Sequence, residues 1–355
     1  MTQITQNSTM QSAASFQEFV ETRKAAVEDA LVLYLEDTDK DAGLLQEAMR
    51  YSVLSGGKRL RALLCIAAYE TINGINHFQS KRETPDYSSI LPIACAIEMV
   101  HAMSLIHDDL PCLDDDDLRR GRPTNHKVFG EAMALLAGDA LLMKAVELII
   151  DKTPASVDRS VLLDVVKGLS EATGARGMVG GQVFDLIYTG QFGLPEYVDA
   201  AMVERALKEG LTLAELPVDG SCAKEITAEK VEVIHRLKTG ALIRYALTAG
   251  SAVAGASEVQ LEGIHKFGEI LGLAFQIADD LLDVTGDSET LGKTPGKDEK
   301  CDKATWIKVF GVEGAREKLK SLDVAGRETL ANYNLQSSDF PVLEQLLEFA
   351  IVRTN

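Results

Sequence analysis

ILPIACAIEMVHAMSLIHDDLPCLDDDDLRRGRP occupies residues 90–123, and its reading decides the fold. From Ile90 to Asp109 the chain is almost wholly apolar, which predicts a helix buried on every side. That helix delivers Asp108 and Asp109 at its C-terminal end, and Pro111 stops or kinks it. Asp114, Asp115, Asp116 and Asp117 follow, then Leu118, Arg119, Arg120, Gly121 and Arg122. Carboxylates crowded at a helix C-terminus repel one another and oppose the macrodipole. Bound cations would relieve both conflicts, and the arginines would then hold an anion. Acid for a cation beside base for an anion is the requirement of a metal-bound phosphate site. A solvated acidic turn is the plainer reading of such a run taken alone. The apolar helix before it, and a second acidic motif far downstream, weigh against that. His101 and Ser104 lie two turns and one turn before Asp108, on its face of the helix.

The rest of the composition narrows the class. The chain has 355 residues, 46% of them hydrophobic and 25% charged, which is ordinary globular material. Length alone suggests about two domains, but no linker divides the chain, so one domain is expected over 16–355. The net charge of −18 disfavours nucleic acid or an anionic membrane as partner and suits divalent cations. Five scattered cysteines form no C-x-x-C pair, so neither a disulfide framework nor a zinc site is expected. No apolar run long enough to span a membrane stands out. Residues 1–15, free of charged side chains, read as a disordered tail or the remnant of a removed presequence.

Working outward, helical periodicity covers Phe16–Leu35, Leu44–Leu54 and Leu60–Ile72. Between the last two stands SGGKRLR, residues 55–61. Its glycines permit a turn and close approach of backbone to a ligand. Lys58 and Arg61 share a helix face, and cations at a helix start are electrostatically misplaced unless an anion binds there. A solvated basic turn is the alternative. Residues 73–89 read as a loop. Asn125–Asp151 reads as one or two helices with a junction at Gly138, and Val161–Tyr188 as one glycine-rich helix. Residues 190–227 are the least readable: Met202–Leu211 reads as a helix and LPVDGSCAKEIT (216–227) as a loop. Ala228–Ala254 is helical, with Lys238, Thr239 and Gly240 as a kink that turns an ammonium inward; an exposed lysine at a weak point is the competing reading. Glu258–Val284 carries FQIADDLLD (275–283). Asp279 and Asp283 share a face with Gln276, and like charges at i, i+4 need a cation between them. Residues 286–303 supply Lys293, Lys297 and Lys303 in a glycine-rich loop that reads as a lid over anions or as a solvated connector. Two or three helices over Glu313–Tyr333 and Phe340–Val352 close an all-α chain. GLSEATGARG follows no strand, so a dinucleotide fold fails.

Two aspartate motifs on apolar helices, facing each other, would form one oxygen-rich cage suited to Mg²⁺. With basic clamps and hydrocarbon walls, the set points to ionisation of an isoprenoid diphosphate, with charge stabilised at the leaving group and water kept from the allylic cation.

These residues carry a family resemblance. SGGKRLR (55–61), DDLPCLD (108–114) running into DDDLRRGRPTNH (115–126), GDALL (138–142), GMVGGQVFD (177–185), KTGAL (238–242), FQIADDLLD (275–283) and GKTPGKD (292–298) occur in order. The chain resembles the trans-prenyltransferases, the E-isoprenyl diphosphate synthases, and most closely their plant and bacterial geranylgeranyl type. The resemblance implies a single-domain isoprenoid-synthase bundle with a central cavity. It implies that Asp108, Asp109, Asp114, Asp279 and Asp283 bind Mg²⁺, three ions with bound diphosphate. Arg119, Lys238, Thr239, Gln276, Lys293 and Lys303 would hold the allylic diphosphate; Lys58, Arg61, His101 and Arg120 would hold isopentenyl diphosphate. The released diphosphate serves as base. Met103 and Ser104, five and four residues before the first aspartate, would floor the tunnel and set a C20 product. Products of C15, or C25 and longer, are the alternatives within this chemistry. A homodimer is implied, and a plastid location if the source is a plant or alga, otherwise the cytoplasm. A silent regulatory subunit and a terpene cyclase are the rival readings; intact aspartate motifs oppose the first and the isopentenyl-site residues the second. Several positions depart from the family pattern. Cys65 is followed by Tyr69 where plant enzymes often carry C-x-x-x-C, Ala62 stands after Arg61 in place of proline, Asp115 replaces a frequent Asn, and Trp306 a frequent Tyr.

Overall fold

The computed structural model describes residues 2–36, 43–76, 87–189, 227–285, 305–336 and 341–352. Thirteen α-helices cover nearly all of them: α1 (Thr2–Tyr34), α2 (Gly43–Val53), α3 (Leu60–Asn76), α4 (Leu91–Asp108), α5 (Asn125–Phe129), α6 (Glu131–Lys152), α7 (Arg159–Thr173), α8 (Met178–Thr189), α9 (Ala228–Ile234), α10 (Gly240–Val253), α11 (Glu258–Thr285), α12 (Trp306–Asn332) and α13 (Val342–Val352). Among the described residues, the only sheet is a two-stranded antiparallel ribbon, β1 (Leu118–Arg119) with β2 (Arg122–Pro123). The expected all-α bundle is the observed fold.

α4 is the axis. Pro92 sits in its first turn, where its missing N–H costs nothing. Ile93, Ile97, Met99 and Val100 are fully buried, because α1, α2, α3, α6 and α10 pack around it. The stretch Tyr87–Asp108 is in fact long and apolar enough to cross a membrane, contrary to the sequence reading, but 78% of its apolar window is buried inside the protein. It is a core helix. A second apolar cluster, with Phe184, Ile234, Ile277, Leu281 and Trp306, joins α8, α9, α11 and α12.

Glycines set two close approaches. A Cβ on Gly250 of α10 would lie 2.0 Å from the Cys65 carbonyl oxygen of α3, and one on Gly272 of α11 would lie 2.8 Å from the Gly240 Cα. These helices therefore meet backbone to backbone.

Several boundaries differ from expectation. α1 begins at Thr2, upstream of Phe16; no Gly or Pro interrupts residues 2–15. The junction expected at Gly138 falls at Gly130, whose φ of +86° ends α5. Gly138 lies inside α6, pressed against the His107 ring. The single helix expected over 161–188 is two, broken around Gly174, whose extended ψ caps α7. α12 starts at Trp306 and kinks at Gly311 (φ 70°).

Candidate active site

α4 ends by handing Asp108 and Asp109 to different tasks. Asp109 is 3% exposed, and Arg119 Nε donates to its Oδ1 at 3.0 Å. Arg119 Nη2 donates both to Asp109 and, at 3.1 Å, to Asp116. Burial pushes the Asp109 carboxyl up, against the pull of Arg119. Asp108 has no such lock. Burial pushes its pKa up, Asp114 and Asp185 add to this, and Lys238 and Arg119 oppose it. Pro111 and Cys112 lie in a turn in which Asp114 N donates to the Asp108 carbonyl at 2.8 Å, so the third aspartate of DDLPCLD returns to the first. Asp117 pairs with Lys127 at 2.7 Å, and Asp115 is exposed.

Across from α4, residues His235–Thr239 form one π-helical turn between α9 and α10. The expected kink is there, and it does turn the ammonium inward: Lys238 Nζ donates to Asp185 Oδ2 of α8 at 2.6 Å. Thr239 Oγ1 donates to Gln276 Oε1 of α11 at 2.6 Å. Asp279 and Asp283 on α11 are half-buried, and Asp279 lies within electrostatic reach of Arg61.

The basic side gathers around His101. Arg61, Arg120, Arg119 and Arg59 all depress the His101 pKa, after burial, which is the largest cause; it lies well below the ordinary value. The imidazole is thus neutral at neutral pH. Arg61 Nε is buried without a hydrogen-bond partner, and burial lowers the Arg61 pKa. Arg120 donates to the Gly56 carbonyl and covers Gly57, whose φ is +127° and where a Cβ would lie 2.7 Å from the guanidinium carbon. Arg61, with its orphan donor, Arg120 and the neutral His101 together offer hydrogen-bond donors and positive charge suited to an anion. A shallow, solvent-open pocket lies here between α2, α4 and the β1–β2 ribbon, lined by His101, Leu105, Arg119 and Arg120 among others. Lys58 is exposed and stands 5.9 Å from the Phe349 ring centroid of α13.

Of the floor residues, Ser104 is half-buried and donates to the His101 carbonyl at 2.9 Å, while Met103 is 4% exposed, within the core. Lys293 and Lys303 lie outside the described residues.

Three contributors escaped the sequence reading: Arg59, Asp185 and Asp280. Arg59 is buried, donates to Glu28 Oε1 at 2.8 Å, and lies 3.7 Å from Glu98. Glu98 also accepts from the Ala62 N–H at 3.1 Å. Of the cations at the start of α3, Arg59 is therefore answered from within.

Among the described residues no three Asp, Glu, His or Cys side chains converge as a ready-made metal cage. Asp108 beside Asp114, a half-buried carboxylate next to another with oxygen donors only, nevertheless fits a hard cation. Mg²⁺ is usually bound through one or two carboxylates, with phosphate and water completing its shell.

A family model described as polyprenyl synthetase matches residues 42–335. "Heterodimeric geranylgeranyl pyrophosphate synthase large subunit 1, chloroplastic" of Arabidopsis thaliana is 43% identical over 291 residues, 82% of this chain and 67% of that protein. The farnesyl diphosphate synthase of Geobacillus stearothermophilus is 38% identical over 333 residues, 94% of this chain and 97% of that protein. Among solved structures, an FPP/GFPP synthase from Zymomonas mobilis superimposes with a TM-score of 0.73 at 30% identity, covering 95% of this chain and 99% of that one.

Proposed function

The chain belongs to the polyprenyl synthetase family, and from that premise we propose that it makes geranylgeranyl diphosphate. Its chemistry is head-to-tail condensation of isopentenyl diphosphate with an allylic diphosphate. The observation that carries the site assignment is the pairing of a cation-seeking carboxylate, Asp108, with the anion-seeking group of Arg61, His101 and Arg120.

Arg119, held by Asp109, works with Lys238, Thr239 and Gln276 on the allylic diphosphate, and Lys293 and Lys303 from the 286–304 segment join them. Lys58, Arg61, His101 and Arg120 hold isopentenyl diphosphate. Asp108 and Asp114, with Asp279 and Asp283, would hold Mg²⁺, which would supply Lewis-acid stabilisation of the leaving diphosphate. The allylic C–O bond breaks and its electrons leave with the diphosphate. The isopentenyl double bond then attacks the allylic carbon, and a proton passes from the new adduct to the released diphosphate. No side-chain base is required. The apolar face of α4 excludes water from the cation.

Ser104 sits one turn before Asp108 on that face, and a small side chain there leaves room for a C20 chain. A C15 product is the second reading, favoured by the farnesyl diphosphate synthase relative. Labelled isopentenyl diphosphate, an allylic primer and Mg²⁺, followed by chromatography, tests both. C20 is the expected main product; no extension at all sinks the reading. Ser104→Phe should move the C15:C20 ratio toward C15 by about tenfold or more, and an unchanged ratio removes Ser104 from the floor.

A homodimer is part of this proposal. Leu136, Met143 and Ile150 repeat every seven residues along α6 and are 53%, 65% and 52% exposed, an apolar stripe that a second copy would cover. A plastid location would follow the chloroplastic plant relatives if the source is a plant or alga.

A further inference from the structure

The second acidic motif contains an aspartate that this chemistry leaves unused. Asp280 is 3% exposed. Its Oδ2 accepts from the Trp306 backbone N–H at 2.7 Å and stands 3.4 Å from His235 Nε2. Its Oδ1 accepts from Gln276 Nε2 at 3.1 Å. Gln276 in turn accepts from Thr239 Oγ1 through Oε1 at 2.6 Å. Burial lowers the His235 pKa to about 3, so the ring is neutral. Its Nδ1 is buried without a partner, which assigns the ring proton to Nε2, facing Asp280.

His235 and Thr239 are the first and last residues of the π-helical turn. Asp280 therefore holds both ends, His235 directly and Thr239 through Gln276. Lys238 lies between them. A π turn has strained, widened geometry and persists only where its surroundings hold it. Both Asp280 oxygens are committed to protein donors, unlike those of a metal ligand.

We propose that Asp280 is a positioning residue that pins both ends of the 235–239 turn and so sets where Lys238 and Thr239 meet the allylic diphosphate. This rests on the reading of Lys238, Thr239 and Gln276 as ligands of that diphosphate.

Asp280→Asn is the isosteric test. Asparagine keeps one carbonyl oxygen for Trp306 and His235 but turns an NH₂ toward Gln276 Nε2. Two donors cannot face each other, so Gln276 must reverse and offer its own NH₂ to Thr239. The anchor at α12 survives while the far end of the pin inverts. KM for the allylic substrate should rise about tenfold, the loss of a hydrogen bond to a charged group. KM for isopentenyl diphosphate, and the Mg²⁺ concentration for half-maximal rate, should stay within about twofold. Calorimetric titration with an unreactive allylic thiolodiphosphate should show the same loss without turnover.

Gln276→Ala separates the two levels of the argument. If it leaves the allylic KM unchanged, the ligand reading fails. If it raises that KM and Asp280→Asn does not, the pin fails alone. In the double variant no further rise beyond Gln276→Ala is expected, because one residue acts through the other. Additive losses, or an Mg²⁺ requirement shifted as by Asp279→Asn, overturn the proposal. His235→Gln loosens the other end without touching Asp280, and must give the same split of KM values. That keeps the proposal testable where Asp280→Asn yields little folded protein.

Discussion

Asp108→Asn is expected to cut turnover about a thousandfold, roughly 4 kcal/mol of barrier at 1.4 kcal/mol per decade, while raising the thermal midpoint of the metal-free protein. The two effects have one origin. Burial raises the Asp108 pKa, with Asp114 and Asp185 adding to it and Lys238 and Arg119 opposing. The folded state thus binds this proton more readily than the unfolded chain. By linkage, stability falls as pH rises from the ordinary aspartate value toward the raised one. At neutral pH the ionised carboxylate is a cost to folding that asparagine removes, on the order of 2 °C in midpoint. Calorimetric scans of both proteins, with and without Mg²⁺ and pyrophosphate, check it. The gain should shrink when the ligands are present, because the wild-type carboxylate then has its cation. A lower midpoint for Asp108→Asn without metal would mean that Lys238 and Arg119 outweigh burial.

Arg59→Leu is expected to cost about 3–5 kcal/mol of stability, the penalty for stranding a buried charge. Arg59 and Glu98 side chains are each 3% exposed. Burial pulls the Arg59 pKa down, but the Glu28 hydrogen bond and the Glu98 and Glu28 charges outweigh it, so the guanidinium stays charged. It also donates to the Val53 carbonyl at 2.7 Å. Removing it strips Glu98 of its partner and places leucine at φ 51°, a region that β-carbon sterics disfavour. Lys58→Leu, one residue away and exposed, should change stability by no more than about 0.5 kcal/mol and act on isopentenyl binding instead. Denaturant titrations with unchanged slope measure the contrast. Equal destabilisation by the two variants contradicts the division of labour in this loop.

That division marks the limit of what the sequence could disclose. The helices and the kink at Lys238 follow from periodicity and charge, and the grouping of Arg61, His101 and Arg120 from the family resemblance. Which of two adjacent like charges faces the ligand does not. Asp109 is absorbed by Arg119 while Asp108 stays without a lock; Asp280 is absorbed by Trp306, His235 and Gln276 beside Asp279; Arg59 is absorbed by Glu28 and Glu98 beside Lys58. Each internal partner lies ten or more residues away in at least one of its contacts, beyond the reach of helical periodicity. Asp185 was hidden in the same way, since its salt bridge spans from α8 to the π turn. The break at Gly130 rather than Gly138 was likewise invisible: one glycine supplies a positive φ and the other makes room for His107, and composition does not distinguish these uses.

The glycine contacts of α10 bear on how the enzyme can move. Gly250 against Cys65 and Gly240 against Gly272 leave no side chain between the backbones to yield or change rotamer, so α3, α10 and α11 can neither slide nor roll past one another without lifting apart. The Lys238–Thr239 turn is mounted at the end of this stiff triple, and Asp279 and Asp283 ride on it. Arg120, in the turn of the β1–β2 ribbon, reaches the SGGK loop through a side chain that can reorient. The two sides of the site thus differ in stiffness: the turn at Lys238 is fixed by backbone contact, and the guanidinium of Arg120 is held only by its own side chain.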